Sequence, residues 1–243
     1  MTISPDGLDR SMTAHFVDLL NDLRRRSLRM ASLVEDILQE ACDAMLSGDD
    51  SLARRVVDRD QDVDSEEVAV ETEVIRLLAL YQPVGSDLRQ LCTVLKVNND
   101  LERIADCAVN VAERAKHVDA RTLGSVYKDL EQMGPIVLHV LRTAVKAFGA
   151  CNVDDAHRVF LEEDAVDALY GQIIRRVVAD AAGAPEKMAG FLDVLSIAKN
   201  LERVADHATN IAEDVIYMVT GEISRHAGLR GLRPWKDRNP SGP

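Results

Sequence analysis

The chain has 243 residues, of which 47% are apolar, 29% charged and only 4% aromatic. With 13 glycines and seven prolines, this composition suits helical bundles and leaves too few turn residues for a β-sandwich or barrel. The net charge of −12, from 41 acidic against 29 basic residues, disfavours direct nucleic-acid binding because a phosphate backbone would meet net repulsion.

The length allows one large domain or two smaller ones, each with its own core, at roughly 150 residues per domain. Cys42, Cys92, Cys107 and Cys151 form no CxxC pair and lie at no zinc-finger spacing from a histidine. They are predicted to be reduced core thiols, which points to a cytoplasmic protein. The first residues, Met1 to Asp6, lack the basic and apolar stretches of a secretory signal, and no run is long and apolar enough to span a membrane.

Phe16, Leu19, Leu23, Met30, Val34, Ile37 and Met45 recur at three, four or seven residues, so the first helix is predicted from about Leu8 to Ser47. Gly48 followed by Asp49 and Asp50 reads as a C-cap running into an N-cap, which reverses the chain into a second helix ending at Tyr81. Pro83 stops that helix. Ser86 and Asp87 are the expected caps of a third helix reaching about His117. A second triplet follows over 122–148, 154–181 and 185–219, with breaks at 149–152 and 183–185. The expected fold class is therefore all-α, a tandem repeat of two three-helix bundles with six long helices. The expected divisions are 1–119, 120–221 and a basic tail, 222–243, without regular structure. That tail carries Arg225, Arg230, Arg233, Lys236 and Arg238 against Glu222 and Asp237, together with three prolines.

The two triplets are copies. Residues 101–113 laid on 201–213 share nine identities, and two further positions exchange Ile and Val. A weaker match pairs Val63 and Asp64 with Val166 and Asp167, which sets Asp60 opposite Glu163. On a helical wheel Leu101, Ile104, Ala108, Val111 and Ala115 form one face, and Asn99, Glu102, Asp106, Asn110 and Glu113 the other. Glu102 and Asp106 stand at i and i+4, where like charges destabilise a helix by about 0.2–0.5 kcal/mol. The same spacing returns in Glu202 with Asp206, Asp60 with Asp64, and Glu163 with Asp167.

One such pair means nothing in so acidic a chain. A solvated face should drift between copies, however, and here its Glu, Asp, Asn and Glu are identical while the packing face varies. The constraint is a metal site or, alternatively, helix capping, salt bridges with Arg103 and Arg203, or a partner surface. All-oxygen ligands suit Mg, Mn or Fe(II), with Zn less favoured. His207 beside Asp206, where the first copy has Cys107, is either an imidazole ligand of the second half alone or a helix-surface histidine. The Glu-x-x-His signature of di-iron carboxylate bundles is absent, since Ala105, Ala205 and Val166 stand three residues after the glutamates. No phosphate loop, nucleophile elbow or supported nucleophile is present either, so the chain is not expected to be an enzyme.

Gln82 to Arg89, Asn99 to Asp106 and the stretch from Asn200 to Gly221 resemble the PhoU family of bacterial phosphate-signalling regulators. The resemblance covers about residues 8 to 222. It implies tandem three-helix bundles with Glu/Asp-x-x-x-Asp motifs that bind metal clusters, and those motifs fall on Asp60 with Asp64, Glu102 with Asp106, Glu163 with Asp167, and Glu202 with Asp206. It further implies a cytoplasmic, non-enzymatic negative regulator of the phosphate-starvation response. Such a protein acts as a metal-binding adaptor between the phosphate-specific ABC transporter ATPase and the phosphate-sensing histidine kinase, meets the membrane through those partners and forms a homodimer. Two features depart from the pattern: the basic tail, and Lys199 in the place of Asn99. The other function classes open to the residues alone are a helical metal-dependent enzyme and a metal-storage bundle.

Overall fold

The computed structural model describes residues 5–118 and 123–223, with side chains from residue 15 onward. Among these residues there are six long α-helices and no strand: α1 (Pro5–Ser47), α2 (Asp50–Tyr81), α3 (Gly85–Ala115), α4 (Ser125–Ala150), α5 (Val153–Ala181) and α6 (Met188–Thr220). A single 3₁₀ turn, Pro185–Lys187, opens the approach to α6. Helices α1, α2 and α3 pack on one another, as do α4, α5 and α6. This is the predicted tandem of three-helix bundles. The expected start of α4 at residue 122, the divide between 119 and 120, and all of the tail beyond residue 223 lie outside the described residues.

Turn chemistry sets the reversals. Gly48 takes φ +67° after α1, a left-handed conformation that costs glycine little, and the Asp49 carboxylate accepts from the Ser51 backbone N–H at 2.7 Å to cap α2. At the corresponding turn of the second bundle the left-handed residue is Cys151 (φ +50°), with the preceding Gly149 and Ala150 still helical. Asn152 then caps α5 by accepting from Asp154 and Asp155. The capping of α3 differs from expectation. Val84 occupies the N-cap with no side-chain cap, and Ser86 and Asp87 lie inside the first turn. The carboxylate of Asp87 there meets the helix dipole instead of closing the end.

The two bundles join along α3 and α6, which share the most extensive helix–helix contact of the chain. They run antiparallel, because Lys96 pairs with Asp214 near one end and Arg114 with Asp193 near the other. Leu101, Ile104, Ala108, Leu201, Val204 and Ala208 are fully buried. A second seam ties α1 to α4. Tyr127 Oη donates to the carbonyls of Met45 and Leu46 at the end of α1, and Arg24 donates to the carbonyls of Phe148 and Gly149 at the end of α4. Between these straps Gly134 admits α1 so closely that a Cβ there would stand 3.3 Å from Cys42 Sγ.

Cys42 and Cys107 are core residues, and burial pushes their thiols up to about 12 and about 11. Cys92 and Cys151 are only partly buried, which corrects the expectation that all four cysteines are core thiols. Cys92 lies in the third turn of α3, and Cys151 is the C-cap residue after α4.

Candidate functional site

Each bundle sets the acidic face of its third helix against the acidic face of its second. In the first bundle Asp60 and Asp64 come from α2 and Glu102 and Asp106 from α3. The Asp60 carboxyl is pushed above its ordinary range by burial, then by Asp64 and Asp106; Glu102 is pushed up by burial, then by Asp106, with Glu67 and Asp64 contributing. Glu67 is itself raised by burial and by Glu71, Asp64 and Asp106. These groups therefore share one electrostatic neighbourhood. Arg103 tempers it, lying 3.1 Å from Asp106 Oδ2 and 3.3 Å from Glu102 Oε2. The latter oxygen is buried and accepts no hydrogen bond.

The second bundle repeats the arrangement with Glu163 and Asp167 from α5 and Glu202 and Asp206 from α6. Glu163 shows the largest effect: burial, followed by Asp167, Asp206, Asp164 and Glu202, pushes its carboxyl up to about 7. Asp167 and Asp206 are raised too, each first by burial and next by Glu202. The tempering cation is Lys199, which pairs with Glu202 and sits over the Tyr170 ring, 5.5 Å from its centroid.

The eight sequence-predicted residues thus fall into two foursomes, one per bundle. Among the described residues, no three His, Cys, Asp or Glu side chains converge on a point that would hold a metal ion. Their chemistry suits a hard or borderline divalent cation: all donors are carboxylate oxygens, several are held protonation-prone by desolvation and like charge, and the buried Glu102 Oε2 accepts no hydrogen bond. Two contributors escaped the sequence reading. Glu67 lies three residues after Asp64, and Asp164 follows Glu163. Their positions in the other copy hold Tyr170 and Gln61, so comparison of copies could not mark them; only their helix register could.

His207 is not a free surface histidine, and it stands near enough to Asp206 to favour that carboxyl's charged form. Its Nδ1 donates to Asp100 Oδ1 across the α3–α6 seam at 2.8 Å, and Asn210 donates to the same oxygen at 3.2 Å.

A tandem of three-helix bundles, each presenting a paired-carboxylate face, defines a duplicated all-helical scaffold. The sequence model of the PhoU domain matches this chain twice, over residues 27–115 and 130–215. The chain belongs to the PhoU family. It is 33% identical over 238 residues to the phosphate-specific transport system accessory protein PhoU homolog of Pseudomonas aeruginosa, covering 98% of each chain. It is 30% identical over 221 residues to the phosphate-specific transport system accessory protein PhoU of Escherichia coli, covering 91% of this chain and 92% of that one. The crystal structure of PhoU from P. aeruginosa superposes with a TM-score of 0.81 at 34% identity, over 85% of this chain and 100% of that chain. That of the phosphate transport system regulatory protein PhoU from Streptococcus pneumoniae gives 0.78 at 27% identity, over 86% and 98%. Among the described residues no helix is long and apolar enough to cross a membrane.

Proposed function

We propose that this chain is a regulatory accessory protein of phosphate-specific transport. It acts without catalysis as a cytoplasmic, homodimeric adaptor between the transporter ATPase and a phosphate-sensing histidine kinase, and it represses the starvation response when phosphate is plentiful. The observation that carries this reading is the full-length similarity to the phosphate-transport accessory proteins, together with the duplicated acidic face. The two foursomes, Asp60, Asp64, Glu102 and Asp106, and Glu163, Asp167, Glu202 and Asp206, would hold divalent cations, of which Mg, Mn and Fe(II) suit oxygen donors better than Zn. Bound there, a cation supplies charge that draws α2 to α3 and α5 to α6. The chain's own part is to present the oxygens and to limit their repulsion through Arg103 and Lys199.

The test is an affinity isolation of the full chain from membranes grown in high and low phosphate, with metal analysis of the same sample. Co-isolation of a transporter ATPase and a histidine kinase is expected, with greater recovery in one phosphate regime. Recovery of neither would overturn the adaptor reading, and a chelator-sensitive turnover would favour the enzyme instead. A strain lacking the protein should express phosphate-uptake genes in phosphate-rich medium.

A further inference from the structure

The acidic faces of the two bundles differ most at one corner. In the first bundle Asn98 of α3 is 2% exposed, and its Nδ2 donates to the Glu67 carbonyl of α2 at 3.1 Å. A carbonyl only accepts, so this bond fixes which way the amide is turned. Asn98 Oδ1 is left buried without a hydrogen-bond partner, as is Glu102 Oε2. Residues 98 and 102 stand at i and i+4, so both oxygens belong to the same side of α3, one turn apart. Buried acceptors that no protein donor reaches call for a water, a proton or an ion.

Two more carboxylates stand at this corner. Burial, then Glu71 and Asp64, pushes the Glu67 carboxyl above its ordinary range, and Glu102 is raised by burial and Asp106 with Glu67 contributing. Arg103 lies 3.3 Å from Glu102 Oε2 without hydrogen-bonding it. The second copy has the same arginine, Arg203, but replaces Glu67, Glu71 and Asn98 by Tyr170, Ile174 and Ala198. There Lys199, in the place of Asn99, pairs with Glu202 and lies over the Tyr170 ring. The second bundle thus carries an ammonium of its own at this corner, and the first carries oxygens instead.

We propose that Glu67, Asn98 and Glu102, with the exposed Glu71 at the rim, form a subsite for a calcium-type divalent cation that the second bundle lacks. The subsite rests on the acidic faces being cation sites, and it names the ion class and the ligands of one corner. The amide oxygen sets that class. It is neutral and takes up no proton, so protonation of the carboxyls does not remove it from the donor set. A neutral carbonyl among carboxylates suits calcium, which takes about six to eight oxygens of mixed kind in flexible geometry, whereas magnesium demands near-octahedral order and keeps its waters. Glu71 is exposed and Glu67 partly so, which opens the corner to solvent. A water, or a proton on Glu102, is the rival partner of the two buried oxygens.

The test is Ca²⁺ binding to the metal-free, full-length protein, read by equilibrium dialysis and by the rise in melting temperature. Glu163→Gln with Asp167→Asn serves as the background, so that the first face alone is read. Saturable Ca²⁺ binding is expected there. Asn98→Ala, Glu67→Gln and Asn99→Lys should each lower the Ca²⁺ affinity by more than about tenfold. Asn98→Asp loses the same hydrogen bond to the Glu67 carbonyl but keeps an oxygen, and it should still bind Ca²⁺. Circular dichroism checks that each variant stays helical; if the Asn98 variants do not, Glu67→Gln and Asn99→Lys decide. Undiminished affinity in Asn98→Ala would overturn the proposal, as would equal failure of Asn98→Ala and Asn98→Asp in folded protein, or undiminished affinity in both Glu67→Gln and Asn99→Lys. Binding of Mn²⁺ without Ca²⁺ would also overturn it, leaving the acidic faces as cation sites and a water or proton at Asn98 and Glu102. If neither Mn²⁺ nor Ca²⁺ binds, the acidic faces are not cation sites and the subsite falls with them.

Discussion

The first and second bundles began as copies, and even in α3 and α6, the helices that match best and that touch, the copies pair through different residues. Positions 93 and 193, and 114 and 214, meet across α3 and α6. Arg114 pairs with Asp193 at 2.9 Å. At the symmetry-related contact the partners are Thr93, donating to the Asp214 carbonyl at 3.4 Å, and Lys96, pairing with the Asp214 carboxylate at 2.6 Å. The charge needed at each crossing has been supplied from different residues. Likewise Asp100 holds His207 and Asn210, whereas the related Asn200 turns its amide to the Ser196 carbonyl of its own helix, leaving Oδ1 unpaired. The carboxylate faces keep Glu102 and Asp106 as Glu202 and Asp206, and differ at Glu67 and Tyr170, Gln61 and Asp164, and Asn99 and Lys199.

The comparison can be broken most forcefully in the core, where the copies should still behave alike. Leu101 and Leu201 are both fully buried, and truncating either to Ala should cost about 2–5 kcal/mol. Urea unfolding midpoints of the two variants should fall by similar amounts. A much smaller loss for one would mean that its bundle is packed more loosely than its copy.

At the seam the copies should separate. Asp100→Ala leaves His207 Nδ1 without its acceptor in a partly buried place, while the exposed Asn210 can turn to water, a loss of about 1–3 kcal/mol. Asn200→Ala removes only a local hydrogen bond and one already unsatisfied oxygen, so it should cost under about 1 kcal/mol. Thermal melts of the two variants side by side check this, and equal losses would refute the asymmetry.

The acidic faces should separate in their response to pH. Glu163 titrates at about 7 in the fold against an ordinary 4.5, so the native state binds its proton more tightly than the unfolded chain does. Its contribution to stability is complete below pH 4.5 and disappears as pH rises through about 7. With solvent screening of this half-exposed group, the slope should integrate to roughly 1–2 kcal/mol. Glu163→Gln should flatten the stability profile over that window in metal-free protein. Asp60→Asn, at the related position of the first bundle, should flatten it less. A profile unchanged by Glu163→Gln would show that the carboxyl is not held in its raised state.

How much of this was legible beforehand depends on what kind of force set each feature. The helices and their grouping follow from apolar spacing, because a stripe such as Leu101, Ile104 and Ala108 can be buried only against a neighbour. Gly48–Asp49 was readable because left-handed backbone and side-chain capping are local properties. Ser86 and Asp87 misled for the same reason: both are good cap residues, yet α3 starts at Gly85, two residues before the start that a Ser86 cap would give. The paired carboxylates of α2, α3, α5 and α6 were visible through duplication. Glu67 and Asp164 were not, since membership there depends on which face of α2 or α5 meets the third helix. His207 could not be placed either, as its partner Asp100 is 107 residues away across a seam that no local pattern encodes.

The smallest expected effect on stability bears most directly on the two acidic faces. Lys199 replaces the first copy's Asn99, pairs with Glu202 and lies over Tyr170, and its side chain remains 48% exposed. An exposed ion pair contributes about 0–1 kcal/mol and a cation–π contact at such a site about 0.5–1 kcal/mol. Lys199→Asn should therefore cost about 1 kcal/mol or less in metal-free protein, because removing the pair also removes the entropy cost of ordering a long side chain. Its larger consequence is electrostatic. The ammonium lowers the negative potential over Asp167 and Asp206, both of whose carboxyls it stabilises in charged form. Without it the second cluster should attract divalent cations more strongly, and the rise in melting temperature on adding Mn²⁺ should exceed that of the unsubstituted protein. Asn99→Lys should do the reverse for the first cluster. If neither substitution changes the Mn²⁺-induced shift, the cation at this position does not regulate the acidic faces, and the difference between the two copies there is one of packing alone.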